Sequence, residues 1–345
     1  MRTVVRSRAL LAGASVVAAA FWAAWAFGQG AGHLQQCLGI GKIGPDVLIR
    51  ECTAAVQSGG HALPMIYLTR AAAYVLKGDY ERALADYDEA IKLAPHTALA
   101  FAQRGEVHAK RRDYDSAIAD YERAIELEPN LASAFSNRGL AWASKGEIRL
   151  AIADYTKAIN LDPNLPVAFN NRGIAHAARG EPEAAIADYG EAIRLDPKYV
   201  NAYDNRANAH LNKREYDHAI ADFTAALQVQ GSDRVALLGR CWAHTLAGHL
   251  PAAVADCSQL LRLQPGDPSA LNMRGFAHLK AGQTDKAIAD FDAVLRSNPK
   301  SVGSLYGRGL ARLKKHEVAQ GNADIAAAKA INPDVEQELA GYGIP

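Results

Sequence analysis

The sequence has no excess of charge of either sign and few residues that usually carry chemistry. Its 345 residues include 38 Lys and Arg against 37 Asp and Glu, with four Cys, three Met and 7% aromatic residues. The amino-terminal arginines Arg2, Arg6 and Arg8 contribute to that balance, so the remainder is slightly acidic. Without a basic stripe to attract phosphates, this composition argues against nucleic acid as a partner.

Catalytic motifs are also missing. The sequence contains no Gly-x-Ser-x-Gly elbow, no phosphate-binding loop and no His-Glu-x-x-His, and carboxylates are scattered rather than paired. No Cys-x-x-Cys pair or histidine set has the spacing of a zinc site. We therefore expect neither an enzyme nor a protein that holds a cofactor or a metal.

What the sequence does contain is a constant period of 34 residues. Arginine keeps this step at Arg70, Arg104, Arg138, Arg172, Arg206, Arg240, Arg274 and Arg308. Aspartate keeps it at Asp86, Asp120, Asp154, Asp188, Asp222, Asp256, Asp290 and Asp324. A period held without an insertion indicates a repeat array, in which each unit packs on its neighbours.

Other columns of the period show the structure of one unit. Three residues before each arginine is a large apolar residue, and one residue after it is a small one: Ala71, Gly105, Gly139, Gly173, Ala207, Cys241, Gly275 and Gly309. After the aspartates come Tyr87, Tyr121, Tyr155, Tyr189, Phe223, Cys257, Phe291 and Ile325. Proline closes seven of the eight units. Apolar residues three and four apart predict two short amphipathic helices per unit.

This pattern resembles the tetratricopeptide repeat (TPR) family. The resemblance implies an all-α, right-handed superhelical solenoid of antiparallel helix pairs. The predicted organisation is a leader at 1–28, an amino-terminal cap with a half-repeat helix at 29–63, repeats over 64–335 and a tail at 336–345. The eight repeats are 64–97, 98–131, 132–165, 166–199, 200–233, 234–267, 268–301 and 302–335.

The Arg and Asp columns depart from the family pattern together. Antiparallel helices place such residues opposite each other, so we expect a ladder of ion pairs. Such pairs would determine the packing register of the helices more than they would stabilise the fold. An arginine ladder for anionic ligands is the alternative, and the equal number of aspartates argues against it.

The first residues predict the cellular location of the protein. Three arginines precede an uncharged stretch, Ala9 to Phe27, and small residues offer cleavage after Ala26 or Gly28. This is the pattern of a bacterial signal peptide, and an uncleaved membrane anchor is the alternative. In both cases we expect the repeats to be exported, in the periplasm or secreted.

The four cysteines fit an oxidising compartment. Local pairing of Cys37 with Cys52 and of Cys241 with Cys257 is the simplest of three connectivities, and buried free thiols are the alternative.

Histidine also repeats at the 34-residue step, at His108, His176, His210, His244 and His278. Neighbouring units are about 10 Å apart, too far to share one ion, so we expect these histidines to pack.

The resemblance implies a binding scaffold whose first helices line a concave groove. Transferring the groove columns gives the candidates Asn137, Asn170, Asn171, Asp204, Asn205, Asn208, Leu238, Trp242, Phe276 and Tyr306. Asn137, Asn171 and Asn205 would form an amide ladder suited to an extended peptide backbone, and ordinary solvated surface asparagines are the alternative. The lysine columns of the chaperone-type carboxylate clamp hold other residues here, including Met65, Leu99 and Val167.

We therefore expect a non-catalytic scaffold for a protein or extended peptide, with homo-oligomerisation left open. The alternatives are a structural subunit of an envelope complex for secretion or polysaccharide export, and a regulatory partner of a separate enzyme.

Overall fold

The computed structural model describes residues 31–38, 43–59 and 62–341, so the predicted leader lies outside the described residues. The described residues form 19 helices and no strand, which confirms the all-α prediction. The chain divides into an N-terminal unit, up to Pro163, and a C-terminal unit, from Asn164. The helices are α1 (Ala31–Cys37), α2 (Pro45–Gln57), α3 (Pro64–Leu76), α4 (Tyr80–Leu93), α5 (Ala98–Lys110), α6 (Tyr114–Leu127), α7 (Ala132–Ser144), α8 (Ile148–Leu161), α9 (Pro166–Ala178), α10 (Pro182–Leu195), α11 (Val200–Asn212), α12 (Tyr216–Val229), α13 (Arg234–Ala247), α14 (Leu250–Leu263), α15 (Pro268–Lys280), α16 (Thr284–Ser297), α17 (Val302–Lys314), α18 (Val318–Ile331) and α19 (Val335–Gly341).

Each repeat is one antiparallel helix pair, and we number its positions from the first residue of its predicted range. The turn between the two helices passes through a left-handed residue at position 15. This residue is glycine in five repeats, for example Gly78 at φ 74°, and Arg112, Arg214 or His316 at φ 62–64° in the others. Glycine adopts this conformation without the steric penalty of a Cβ atom, so five turns are unstrained.

The two helices of a repeat touch through a small residue at position 8 and an aromatic ring at position 24. A Cβ atom added to Gly105 would lie 2.9 Å from the ring of Tyr121, and one added to Gly173 would lie 2.6 Å from the ring of Tyr189. Tyr121 is only 1% exposed. Glycine at these positions lets the ring pack directly against the first helix, whereas repeats 1 and 5 accommodate alanine there, at Ala71 and Ala207.

The predicted arginine–aspartate pairs are present in all eight repeats and lie inside the repeat. Each arginine donates from Nε and Nη2 to both carboxylate oxygens of the aspartate 16 residues later, at 2.6–2.9 Å. The aspartates are 5–7% exposed. The structural interpretation is confirmed: the bidentate pair satisfies a buried carboxylate and fixes how the two helices face each other.

The remaining guanidinium nitrogen reaches the second helix of the preceding repeat. Nη1 of Arg104 donates to Asp88 at 2.6 Å, and Nη1 of Arg240 donates to Thr224 at 3.1 Å. Arg274 and Arg308 make the same contact with Ser258 and Asp292. Each of these arginines therefore couples the register within a repeat to the register between repeats.

The amino-terminal cap is a truncated repeat rather than a single half-repeat helix. Cys37 ends α1, 34 residues before Ala71, and Cys52 in α2 lies 35 residues before Tyr87. Arg70 Nη1 donates to Thr53 Oγ1, which lies 17 residues earlier instead of 16. Helix α2 therefore serves as a preceding second helix, one residue out of step with the 34-residue period. Buried Glu51 occupies the aspartate column and is bonded by His33 and Arg50.

Both cysteine pairs are at disulfide distance, with Sγ–Sγ separations of 2.13 Å for Cys37–Cys52 and 2.04 Å for Cys241–Cys257. All four side chains are fully buried. In repeat 6 the cysteines occupy positions 8 and 24, where a glycine meets a tyrosine in repeats 2–4. The pair in the cap occupies the equivalent places, so the same contact is replaced by a covalent link twice.

At the far end, Val335–Gly341 forms a short helix that includes part of the predicted tail. Val335 is 2% exposed and packs with Leu305 and Tyr306 of the last repeat. Helix α19 covers apolar surface that a ninth repeat would otherwise bury, as a terminal unit of a repeat array must.

Candidate functional site

The candidate site is one face of the first helices, which we call the first-helix face and define as positions 2, 5, 6 and 9 of each repeat. At 100° per residue, these four positions lie within about a third of the helix circumference. Four of the eight residues at position 2 are large, apolar and exposed, at 44–52%: Met65 and Leu99 in the N-terminal unit, Val167 and Val235 in the C-terminal unit. At position 9, Leu140 and Ile174 are 51% and 46% exposed.

These apolar residues are missing from the sequence-based list of candidates. The recurrence of large aliphatic residues at position 2 is the sequence signal that identifies them. Within one unit, exposed aliphatic side chains on the same face of the first helices form a surface that gains free energy when a partner covers it.

The amide candidates divide between packing and surface. Asn137 is half-buried in the N-terminal unit. In the C-terminal unit, Asn205 donates from Nδ2 to Oδ1 of Asn170 at 2.9 Å, and Asn170 donates to Asn171 at 3.4 Å. Asn170 is 3% exposed, so this pair lies in the contact between repeats 4 and 5, whereas Asn208 is exposed.

Asp204 is the most unusual candidate. It is 6% exposed, and its Oδ1 atom is buried without a hydrogen-bond partner. Burial and the neighbouring carboxylate of Asp233 raise the pKa of Asp204 to about 7. The flanking residues of the same helix face, Asn201 and Asn208, are exposed. A buried carboxylate oxygen without a partner destabilises the folded state, and a hydrogen-bond donor or a cation that binds it would relieve this cost.

The apolar candidates of repeats 6–8 differ in how deeply they are buried. Trp242 and Leu238 are half-buried, and the Trp242 ring meets Phe276 edge-on at 6.3 Å between centroids. Phe276 in turn meets Phe291 at 5.1 Å. Phe276 and Tyr306 are each 2% exposed, so they are core residues in this structure. Among these candidates, Trp242 and Leu238 are the ones that retain exposed surface.

Three of the five repeated histidines, His176, His210 and His278, bond to a Glu or Gln side chain five positions later, across the turn of their own repeat. His176 Nδ1 contacts Glu181 Oε2 and His210 Nδ1 contacts Glu215 Oε2, both at 2.6 Å. His278 contacts Gln283 at 2.8 Å. Burial lowers the pKa of His244 and of His278. These contacts close the turn between the two helices of the repeat.

Within the described residues, one group has the make-up of a metal site. Ligand atoms of His210, Glu215 and His218 lie within 4.8 Å of one another. Glu215 is also bound by Lys213 at 3.0 Å, and the same histidine–glutamate contact occurs in repeat 4 without a third ligand. Turn closure therefore explains the arrangement of His210 and Glu215.

A shallow cleft of about 420 Å³ lies at the turns of repeats 1 and 2. It is lined by Lys77, Gly78, Asp79, Tyr80, Glu81 and Arg111. Arg111 pairs with Glu81 at 2.9 Å, and Asp79 is paired with Arg82. These pairs partly neutralise the cleft, and we assign it no ligand.

Comparison with known proteins agrees with the fold. Family models described as TPR repeat match residues 71–111, 107–146 and 141–180, and models described as tetratricopeptide repeat match 166–199, 205–268 and 272–334. The chain belongs to the tetratricopeptide repeat family. No curated protein matches the sequence significantly.

Solved structures show the same fold at low sequence identity. A tetratricopeptide repeat protein from Parabacteroides merdae ATCC 43184 is 21% identical, with a TM-score of 0.56 over 72% of this chain and 99% of that one. The type IV pilus biogenesis factor PilW is 22% identical, with a TM-score of 0.56 over 60% and 96%. Pseudomonas aeruginosa PilF is 21% identical, with a TM-score of 0.54 over 61% and 96%.

TPR proteins bind peptide or protein partners, so the fold is that of an interaction scaffold. In residues 31–38, 43–59 and 62–341, no helix combines the length and the apolar character needed to cross a membrane.

Proposed function

We propose that this protein is a non-catalytic scaffold that binds an extended peptide or protein segment along the first-helix face. The observation that carries the proposal is the set of exposed aliphatic residues on that face, with Trp242 and Leu238 half-exposed at other positions of the same face. The ordered helix pairs present this surface without needing to fold on binding, which keeps the entropic cost of association low.

We further propose that binding takes place outside the cytoplasm. Two buried cysteine pairs at disulfide distance support this, because such bonds persist in oxidising compartments. The uncharged stretch after the amino-terminal arginines supports it as well. A carboxy-terminal alkaline phosphatase fusion, which is active only after export, tests this location, and an inactive fusion made at full length contradicts it.

Binding is tested with a library of random dodecapeptides displayed on phage. The test variant carries Val167→Ser, Ile174→Ser and Val235→Ser, three positions that are 46–52% exposed on the first-helix face. A matched control carries Val229→Ser, Leu263→Ser and Ile331→Ser, which are 42–51% exposed on second helices.

We expect the wild type and the control to enrich the same peptides and the test variant to lose them, with unchanged helical circular dichroism. If the control variant loses the peptides instead, the binding surface lies on the second helices, as expected of a structural subunit in an envelope complex. Failure of the wild type to enrich any peptide would contradict the proposed function.

A further inference from the structure

Asp204 carries the only formal charge on the first-helix face of the C-terminal unit. Positions 2, 5, 6 and 9 of repeats 4–8 hold aliphatic, aromatic, amide, glycine and serine residues, together with this one aspartate. None of these positions holds lysine or arginine. The face is therefore complementary in charge to a single cation.

The carboxylate is not neutralised by its own surroundings. Oδ1 has no hydrogen-bond partner, although the residue is 6% exposed. The neighbouring acid, Asp233, caps α13 by accepting from the backbone of Ala236 at 2.9 Å and also accepts from Gln230 at 3.0 Å. The adjacent amides, Asn205 and Asn170, are bonded to each other. A cation that binds here would therefore give the Asp204 carboxylate the partner that it lacks within the fold.

Apolar surface flanks Asp204 on both neighbouring repeats. Val167 and Ile174 are exposed in the preceding repeat, and Val235 and Trp242 retain exposed surface in the following one. The first helices α9, α11 and α13 lie side by side in that order. Packed helices are about 8–10 Å apart, and an extended peptide rises about 3.3 Å per residue. One repeat is thus spanned by about three peptide residues.

We propose that Asp204 receives a lysine or arginine side chain of an extended peptide, with an apolar residue about three positions to either side of that basic residue. This inference rests on the proposed function and assigns the partner its chemistry. The long aliphatic stem of a basic side chain fits the apolar rim, while its charged end reaches the buried oxygen. The raised pKa of Asp204 fits a carboxylate that becomes fully ionised only when such a partner is bound.

The dodecapeptides enriched by the wild type provide the first test. We expect lysine or arginine at one register, with aliphatic or aromatic residues about three positions before and after it. Enriched peptides without a basic residue would overturn this inference while leaving the proposed function in place. A library with no enriched peptide at all would instead contradict the proposed function.

The second test uses fluorescein-labelled synthetic versions of the best enriched peptide in fluorescence anisotropy. For wild-type protein, we expect the basic residue changed to glutamine to weaken binding by about tenfold or more. For Asp204→Asn, the two peptides should bind equally. Asp217→Asn removes one exposed carboxylate from a second helix of the same repeat and should keep the wild-type preference.

A third comparison separates the two sources of a peptide cation. Peptides with acetylated and free amino termini should bind equally if a side chain occupies the site. If only the free terminus gives tight binding, the side-chain assignment is wrong. If the Asp204→Asn variant still binds the peptide with the basic residue more tightly than the peptide with glutamine, the proposal is also overturned.

Discussion

Asn205 donates its side-chain amide to Oδ1 of Asn170, 2.9 Å away in the preceding repeat. The sequence suggests that asparagines in this column grip a ligand backbone, but this amide is bonded to its neighbour. Because Asn170 is 3% exposed, the bond belongs to the contact between two repeats. In repeat 5, the parts of the first-helix face that we propose to meet a ligand are therefore Asn201, Asn208 and the carboxylate of Asp204.

Removing Asn170 tests that assignment. Asn170→Ala leaves the Asn205 amide without its acceptor, so we expect the free energy of unfolding to fall by about 1–3 kcal/mol. Asn208→Ala, on the exposed part of the same face, should change it by no more than about 0.5 kcal/mol. Urea unfolding followed by circular dichroism measures both. Equal effects of the two variants would show that the amide pair has no structural role.

The arginine–aspartate pairs make a prediction about single and double variants. Arg206→Met leaves Asp222, which is 6% exposed, buried without a counter-charge, and should cost roughly 3–5 kcal/mol. Adding Asp222→Leu removes the uncompensated charge and should recover most of that loss. Thermal unfolding of the single and double variants is the measurement. If the double variant is less stable than Arg206→Met, the pair contributes more than mutual charge compensation.

Asp204 should make stability depend on pH. Its pKa rises from an ordinary 3.8 to about 7 on folding, because of burial and Asp233. Below about pH 4 the group is protonated in both states, and as pH rises toward 7 the unfolded chain ionises first, so the folded state loses relative stability. Each pKa unit corresponds to about 1.4 kcal/mol, so Asp204→Asn should be more stable than wild type by roughly 2–4 kcal/mol at pH 8.

The same comparison at pH 4 should show little difference between Asp204→Asn and wild type. Denaturant titrations across pH 4–8 give the curve, and Asp217→Asn is the control for losing one carboxylate. A difference that stays flat over this range would mean that Asp204 is solvated or paired in solution.

The Cys241–Cys257 link is predicted to stabilise repeat 6 against unfolding. The cysteines are 16 residues apart, and closing a loop of this size contributes about 3 kcal/mol in the chain-entropy model. Replacing both with serine should therefore lower the unfolding free energy by a few kcal/mol under oxidising conditions. The variant Cys241→Gly with Cys257→Tyr restores the contact seen between Gly105 and Tyr121.

We expect that glycine–tyrosine variant to be more stable than the double serine variant and insensitive to dithiothreitol in repeat 6. Hydrogen exchange resolved over α13 and α14 would report on this repeat separately from the cap. Unchanged exchange there after loss of both sulfurs would contradict a stabilising role for the link.

The fold was predictable because the same residue types return every 34 residues, so each column is supported several times over. The arginine–aspartate pairs and the pairing of cysteines at positions 8 and 24 followed from the same register. Burial on the first-helix face was not predictable in this way. Phe276 occupies position 9, where Leu140, Ile174 and Asn208 are exposed, yet neighbouring helices cover its ring. Tyr306 occupies position 5, which is buried or half-buried in every repeat.

Local contacts explain that difference. A Cβ atom added to Gly239 would lie 2.2 Å from the ring of Phe223, and one added to Gly307 would lie 2.4 Å from the ring of Phe291. These glycines at position 6 admit a ring from the preceding second helix, so adjacent repeats pack tightly there. Periodicity identifies which helix face a residue occupies, but how closely the next helix approaches depends on such pairs.

Arg70 finds its acceptor 17 residues back and Arg240 finds one 16 residues back, although the geometry of the two contacts is the same. The contact therefore depends on the relative position of the two helices and not on the number of residues between them. The additional residue is accommodated in the segment that connects the helices. Extra residues can accordingly be inserted into such connecting segments without breaking these contacts, provided that the preceding second helix offers a hydroxyl or carboxylate; opposite Arg206 that place is held by Gly190.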